Sequence, residues 1–207
     1  MAQGKLAIVS GFSGAGKSTV VRKLVETRDY ELSVSCTTRG PREGEVDGKD
    51  YYFISREEFE KKIDEQDFLE WVRYLDNYYG TPLSFTKEKL AQGRNVILEI
   101  DAQGALQVKK LIPEAILIFV VAPTMTELKQ RLTSRGTEAT ETVNRRLERA
   151  MEEIGLAPQY DFLMMNVDID ASVNLMDMMI RDGYGRAPLA DGLLARLEKE
   201  GHEVLGL

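Results

Sequence analysis

The chain has 207 residues, 43% of them hydrophobic, with a formal net charge of −7 and a single cysteine, Cys36. That length fits one compact domain whose core needs no disulfides, and one cysteine supplies neither a disulfide framework nor a cysteine-based metal site. The acidic balance without a long basic run argues against a general nucleic-acid or membrane-surface binder, no apolar stretch approaches a membrane span, and residues 1–5 lead straight into the first strand with no room for a signal peptide, so a cytoplasmic enzyme is the expected class.

Lys5-Leu6-Ala7-Ile8-Val9-Ser10 is a short apolar run with β-branched residues and predicts a buried strand. Gly11-Phe12-Ser13-Gly14-Ala15-Gly16-Lys17-Ser18-Thr19 follows and fits G-x-x-x-x-G-K-[ST], the P-loop pattern. Val20, Val21, Leu24 and Val25 then recur at helical spacing, so the glycines fall between a strand and a helix start, where the pattern needs them. Glycines there let successive amides turn inward around phosphate oxygens, and the helix N-terminus adds partial positive charge. Lys17 is the expected ammonium for β and γ phosphates, and Ser18 the expected hydroxyl for Mg2+.

Residues 33–38 predict a strand, followed by a polar loop from Arg39 to Glu45 and a hairpin-turn signal at Asp47-Gly48. A strand over 51–54 follows, and Ser55 with Glu58 forms a capping box opening a helix to about Asp64. Phe68–Val72 and Asn77–Thr81 are strand-like, so 33–82 is a strand-rich insert rather than a crossover helix. The α/β rhythm then resumes: a helix over 85–92, a strand over 95–101, a helix over 103–111 and a very apolar strand over 115–121. Thr124 and Glu127 make a second capping box for a helix over 125–134, with another helix over 142–155, a last core strand over 162–167, and helices over 171–181 and 189–199. The fold class expected is α/β, with a parallel sheet covered by helices on both sides and ligands beyond the C-terminal strand ends.

Glu99 and Asp101 close the 95–101 strand on one side of it and are candidates for ordering Mg2+ or its waters, or are plain strand-end acids capping the next helix. Arg131 and Arg135 share one helix face, and Arg145, Arg146 and Arg149 follow on the next helix. They stabilise a transferring phosphoryl group if this segment closes over the P-loop; otherwise they are a solvated face paired with Glu138, Glu141 and Glu148. Arg39 and Arg42 flank a Gly-Pro turn and suit phosphate oxygens, with Tyr51 and Tyr79 as further donors or as packing aromatics. Glu70 is a charge inside an apolar run; it matches the paired N–H donors of a guanine base, with Ser35 and Thr81 beside it, or it pairs with Arg73. Cys36, His202 and the methionines at 164, 165, 176, 178 and 179 are expected to be structural.

Several longer strings are more specific than the P-loop: Ser35-x-Thr37-Thr38-Arg39-x-Pro41-Arg42-x-Gly44-Glu45-x-x-Gly48-x-Asp50-Tyr51, then Phe68-x-Glu70-Trp71, Asn77-Tyr78-Tyr79-Gly80-Thr81, Asp101-x-Gln103-Gly104 and Arg131-Leu132-x-x-Arg135-Gly136. With them the chain resembles the guanylate kinases, ATP:GMP phosphotransferases, from about Leu6 to Asp168. The resemblance implies a P-loop NTPase-type three-layer fold with a core (1–32, 83–124 and 157–207), a GMP-binding region (33–82) and a helical lid (125–156). It implies guanine contacts from Ser35, Glu70 and Thr81 with Glu99 or Asp101 nearby, and a GMP phosphate clamp of Arg39, Arg42, Tyr51 and Tyr79 supported by Glu45. ATP contacts are implied for Gly11 to Thr19 and for Asn166 near the adenine, although Asn166-Val167-Asp168 departs from the family's Asn-Asp-Asp. Lys17, Arg39, Arg42, Arg131, Arg135 and Arg146 are the implied catalytic cations, with Mg2+ on Ser18 and Asp101, partly through water. ATP and GMP are the implied partners of a monomer or homodimer; a kinase for another nucleoside monophosphate and a non-catalytic guanylate-kinase-like interaction domain are the rival readings.

Overall fold

The computed structural model describes residues 3–74, 76–134, 140–183 and 190–206, without the side chains of residues 74, 190 and 191. Arg135 therefore lies outside the described residues, as do Glu138 and 187–189 of the tail.

Five strands form a wholly parallel sheet in the order β2-β7-β1-β8-β9: β1 (Leu6–Gly11), β2 (Tyr30–Ser33), β7 (Asn95–Glu99), β8 (Ile116–Val121) and β9 (Phe162–Met165). Their unbroken apolar runs follow from burial on both faces. In β1, Ala7 and Val9 enter one cluster with helices α1 (Lys17–Thr27), α5 (Met125–Thr133), α6 (Thr140–Ile154), α7 (Ile169–Asp182) and α8 (Ala190–Leu205). Leu6 and Ile8, pointing the other way, join the cluster that α3 (Leu83–Ala91) and α4 (Ala102–Leu111) cover. Gly11 ends β1 at φ 125°, and a Cβ there would stand 2.0 Å from the Val120 carbonyl oxygen of β8. Only glycine permits β1 and β8 to lie this close where the chain turns into the phosphate loop.

The second sheet has four strands in the order β4-β3-β6-β5: β3 (Cys36–Thr37), β4 (Tyr52–Phe53), β5 (Phe68–Tyr74) and β6 (Asn77–Pro82). Here two expectations are corrected. The single strand over 33–38 divides, because β2 already runs from Tyr30 to Ser33 along β7, and the chain then crosses at Val34-Ser35 into the second sheet. Asp47-Gly48 turns the chain, with the Lys49 and Asp50 amides both donating to Val46, but it joins no hairpin. β4 pairs in parallel with β3, and Asp47 is used to accept the Phe53 amide at 2.9 Å.

Helix α2 (Arg56–Asp64) carries the full Ser55–Glu58 capping box and buries Phe59, which stacks on Phe68 at 4.4 Å and on Tyr78 at 5.2 Å. At α5 only half the expected box forms. Thr124 accepts the Glu127 amide, while the Glu127 carboxylate pairs with Arg131 four residues on. Helix α8 reaches Leu205, beyond the expected end near 199; it buries Leu194 and Leu197, and its Glu200 accepts the Met125 amide at the start of α5.

A cavity of about 290 Å3 lies where the chain leaves and rejoins the core, lined by Leu32, Val34 and Cys36 on the way out and by Pro82 and Phe85 on the way back. Cys36 is buried, as expected of a structural residue, and burial raises its thiol pKa to about 11. Among the described residues no helix is long and apolar enough to cross a membrane.

Gly11→Ala is expected to lower stability by about 3 kcal/mol or more, since it adds strain at positive φ to a backbone clash. Denaturant unfolding checks this; a loss under about 1 kcal/mol would show that β8 yields easily at Val120.

Candidate functional site

The phosphate loop is held from its own side chain and from two other elements. The Lys17 ammonium donates to the carbonyls of Gly11 at 2.7 Å and Phe12 at 2.9 Å, curling over the loop it follows. Gly16 leads α1 at φ 87° without a side chain to cap the first turn, so amides there face an incoming anion. Asn166, 2% exposed, donates its amide to the Ala15 carbonyl at 2.8 Å and accepts the Ser172 hydroxyl at 2.9 Å. Arg131 donates to the same Ala15 carbonyl at 3.2 Å and to the Asn166 carbonyl at 3.0 Å. Asn166 and Arg131 are thus brought to the loop's back as braces. Phe12 and Ala15 are fully buried and offer the ligand only backbone, with Phe12 packed edge-on against Phe119 at 5.5 Å. Thr19 is exposed on α1 and does not line the cleft.

Glu99, not Asp101, is the acid at the loop: the Ser18 hydroxyl donates to its carboxylate at 2.6 Å. β7 ends at Glu99, and Asp101 caps α4 by accepting the Gly104 amide at 2.8 Å. The other Asp101 oxygen faces Arg149 at 3.5 Å. Among the described residues no group of three or more acids, histidines or cysteines forms a metal cage. A hydroxyl beside a carboxylate suits a hard cation held mainly by phosphate oxygens and water, which is the habit of Mg2+. Ser18 and Glu99 fit that donor set.

At the far end of the cleft, Glu70 on β5 is 9% exposed and accepts the Thr81 hydroxyl at 2.7 Å, with the Ser35 hydroxyl 3.5 Å from Thr81. Burial pushes the Glu70 carboxyl up to about 7, and the nearby Asp101 charge adds to the shift. The pairing with Arg73 does not form, since that guanidinium turns to Asp76 at 3.7 Å. Residues three apart on a strand face opposite sides.

Arg39 is gripped by Glu45 through two nitrogens, at 2.8 and 2.9 Å, and Glu45 also accepts the Arg42 amide at 2.7 Å. The pair holds the Glu45 carboxyl below and the Arg39 guanidinium above their ordinary values. The guanidinium lies 5.5 Å from the Tyr51 ring centre and 5.7 Å from that of Phe53, and Tyr51 meets Tyr79 edge-on at 6.1 Å. Arg39 Nε is buried with no acceptor among the described residues. Arg39 and Glu45 thus back a wall whose cleft face is Arg42, Tyr51 and Tyr79.

One cleft of about 610 Å3 runs from Gly11, Ser13 and Lys17 past Glu99 and Asp101 to Ser35, Tyr79 and Glu70. Helix α6 forms its remaining side with Arg145, Arg146, Arg149 and Glu153. Arg146 reaches the Ser13 hydroxyl at 3.4 Å. Two contributors were not among the expected site residues. Ser172, which holds Asn166, carries no sequence signal. Glu153 does: it lies four residues after Arg149 and seven after Arg146, on the same helix face.

The guanylate kinase family profile matches residues 3–183. The guanylate kinase of Clostridium tetani (strain Massachusetts / E88) is 46% identical over 208 residues, 99% of each chain. That of Caldanaerobacter subterraneus subsp. tengcongensis is 47% identical over 179 residues, 86% of this chain and 87% of that protein. The crystal structure of guanylate kinase from Anaplasma phagocytophilum has a TM-score of 0.73 at 31% identity, covering 88% of this chain and 87% of that one. The chain therefore belongs to the guanylate kinase family, the nucleoside monophosphate kinases of that name.

Proposed function

We propose that the enzyme transfers the γ-phosphoryl group of ATP reversibly to GMP, giving ADP and GDP, with Mg2+ bound alongside the ATP. The observation that carries this reading is the single cleft joining Lys17 to Glu70, which lets a triphosphate at one end meet a monophosphate entering from the other.

Two anions must approach, so the protein's work is to position them and offset their charge. The loop amides and Lys17 hold the donor phosphates, and Arg146 stands at Ser13 beside them. Arg42, Tyr51 and Tyr79 take the acceptor phosphate, with Arg39 behind them held by Glu45. An ionised Glu70 accepts guanine N1–H and N2–H2 together, while Thr81 and Ser35 complete the base pocket. Adenine turns an acceptor, N1, toward the same place and is repelled. Mg2+ would be held by Ser18 and Glu99, where it supplies further charge neutralisation for the phosphates. No general base is needed, because the attacking phosphate oxygen is already ionised at neutral pH. The intact Lys17 in a formed loop favours a catalytic enzyme over an interaction domain.

ADP release measured with GMP, AMP, CMP and UMP as acceptors is expected to show turnover with GMP alone; turnover with AMP comparable to GMP would overturn the guanine assignment. Lys17→Ala is expected to lower kcat by about 100-fold or more with the fold intact, checked by single-turnover transfer beside circular dichroism.

Glu70 links function to pH. Its folded pKa, about 7, lies above the ordinary 4.5, so between those values the folded state holds a proton that the unfolded state has lost. Stability therefore falls as pH rises through that window, while GMP binding, which needs the ionised form, strengthens. Glu70→Gln is expected to raise stability at pH 8 by about 3 kcal/mol and to abolish most GMP turnover. Paired melts at pH 5 and 8, with GMP KM followed across pH 6–8, check both signs.

A further inference from the structure

Glu153 sits near the C-terminal end of α6, inside the phosphate cleft, with its side chain only 12% exposed. One carboxylate oxygen accepts Arg149 Nε at 3.2 Å; the other, Oε2, is buried with no hydrogen-bond partner among the described residues. The Arg149 guanidinium spans from this carboxylate to Asp101, 3.5 Å from its Nη2, and Asp101 caps α4. α6 is thereby tied to the core across the floor of the cleft. A half-satisfied buried acid where polyphosphate must bind is costly, and it repels the substrate. Its placement needs a reason beyond packing.

The charges around it supply one. Burial raises the Glu153 carboxyl above its ordinary value and the Asp101 charge adds to this, while Arg149 and Lys17 draw it back toward the ionised form. Tyr160, on the segment after α6, is the further titratable group that feels it. On this side of the cleft Lys17, Arg145, Arg146 and Arg149 come together. The Glu153 carboxylate lies among them, in contact with Arg149.

We propose that Glu153 is a positioning residue for phosphoryl transfer: its carboxylate orients the Arg149 guanidinium across the cleft and stands in for phosphate charge beside Lys17 until ATP binds. It touches neither reacting atom in this role, and it acts through the two cations. The inference rests on the ATP:GMP reading above. Turnover of ATP and GMP by the unsubstituted enzyme tests that reading, and the variants are compared with it.

The tests are Glu153→Gln and Glu153→Asp, followed by steady-state kinetics and by calorimetric titration with the non-transferring complex of Mg2+ and a β,γ-methylene ATP analogue. Glu153→Gln is expected to lower kcat roughly tenfold, leave the GMP KM within about twofold, and tighten analogue binding about threefold or more, because a competing charge is gone. Its melting temperature should not fall. Glu153→Asp keeps the charge but shortens the reach, so analogue affinity should return toward the original value while kcat stays low. A purely structural residue would instead lower stability and move affinity and turnover together. Unchanged kcat or weakened analogue binding in a folded Glu153→Gln enzyme overturns the proposal. If that variant fails to fold, Arg149→Met carries the test with Glu153→Asp: both act on one guanidinium, so the double variant's kcat should match the worse single variant. Multiplied losses overturn the proposal.

Discussion

The Ala15 carbonyl oxygen receives hydrogen bonds from the Asn166 amide and the Arg131 guanidinium, and the rest of the site depends on the loop shape they secure. A loop with three glycines at positive φ, at residues 11, 14 and 16, has much conformational freedom to lose on ordering. Contacts from β9 and α5 meet that cost before substrate binds, and Lys17 adds its own from the front. Phosphate then meets amides already aimed at it, which is how binding energy is kept for the transition state.

The protein is acidic, with a net charge of −7, yet it must gather two anions. Acids inside the site are therefore given partners. Glu45 is spent on Arg39 and on the Arg42 amide, Glu99 on the Ser18 hydroxyl, and Asp101 on a helix cap. Glu70 is held by Thr81, whose hydroxyl it accepts, and burial keeps its pKa raised despite that contact. In the proposed reading, that buried carboxylate is what favours a base with two adjacent N–H groups.

Much of this was legible in the sequence wherever local chemistry decides. The strand, glycines and helix start around Lys17 fix the phosphate loop by spacing alone, and an acid within Phe68-Leu69-Glu70-Trp71 announces a buried polar site. What was not legible is decided by tertiary direction. Tyr30 belongs to a strand because it pairs with Asn95 of β7, and its hydroxyl reaches Asp177 on α7, a contact 147 residues away. Asp101 leaves the strand face because a free helix N-terminus competes for its carboxylate. Arg131, whose helical spacing suggested a lid cation, donates to the loop's Ala15 carbonyl and to the Asn166 carbonyl behind it. The tail yields no motif, and α8 is positioned by burial of Leu194 and Leu197 against the α5–α6 side of the sheet.

The second sheet is joined to the core by two chain crossings, one after Ser33 and one at Pro82, with the 290 Å3 cavity between them. In the proposed reading, the acceptor-reading region is a cassette slung from one pair of adjacent straps and seated on the core through Leu69 of β5. Such an attachment would separate two kinds of evolutionary change: on the proposed assignment, residues 36–82 could be rewritten for another phosphate acceptor while the donor side, carried on β1, α1 and the residue after β9, stays as it is.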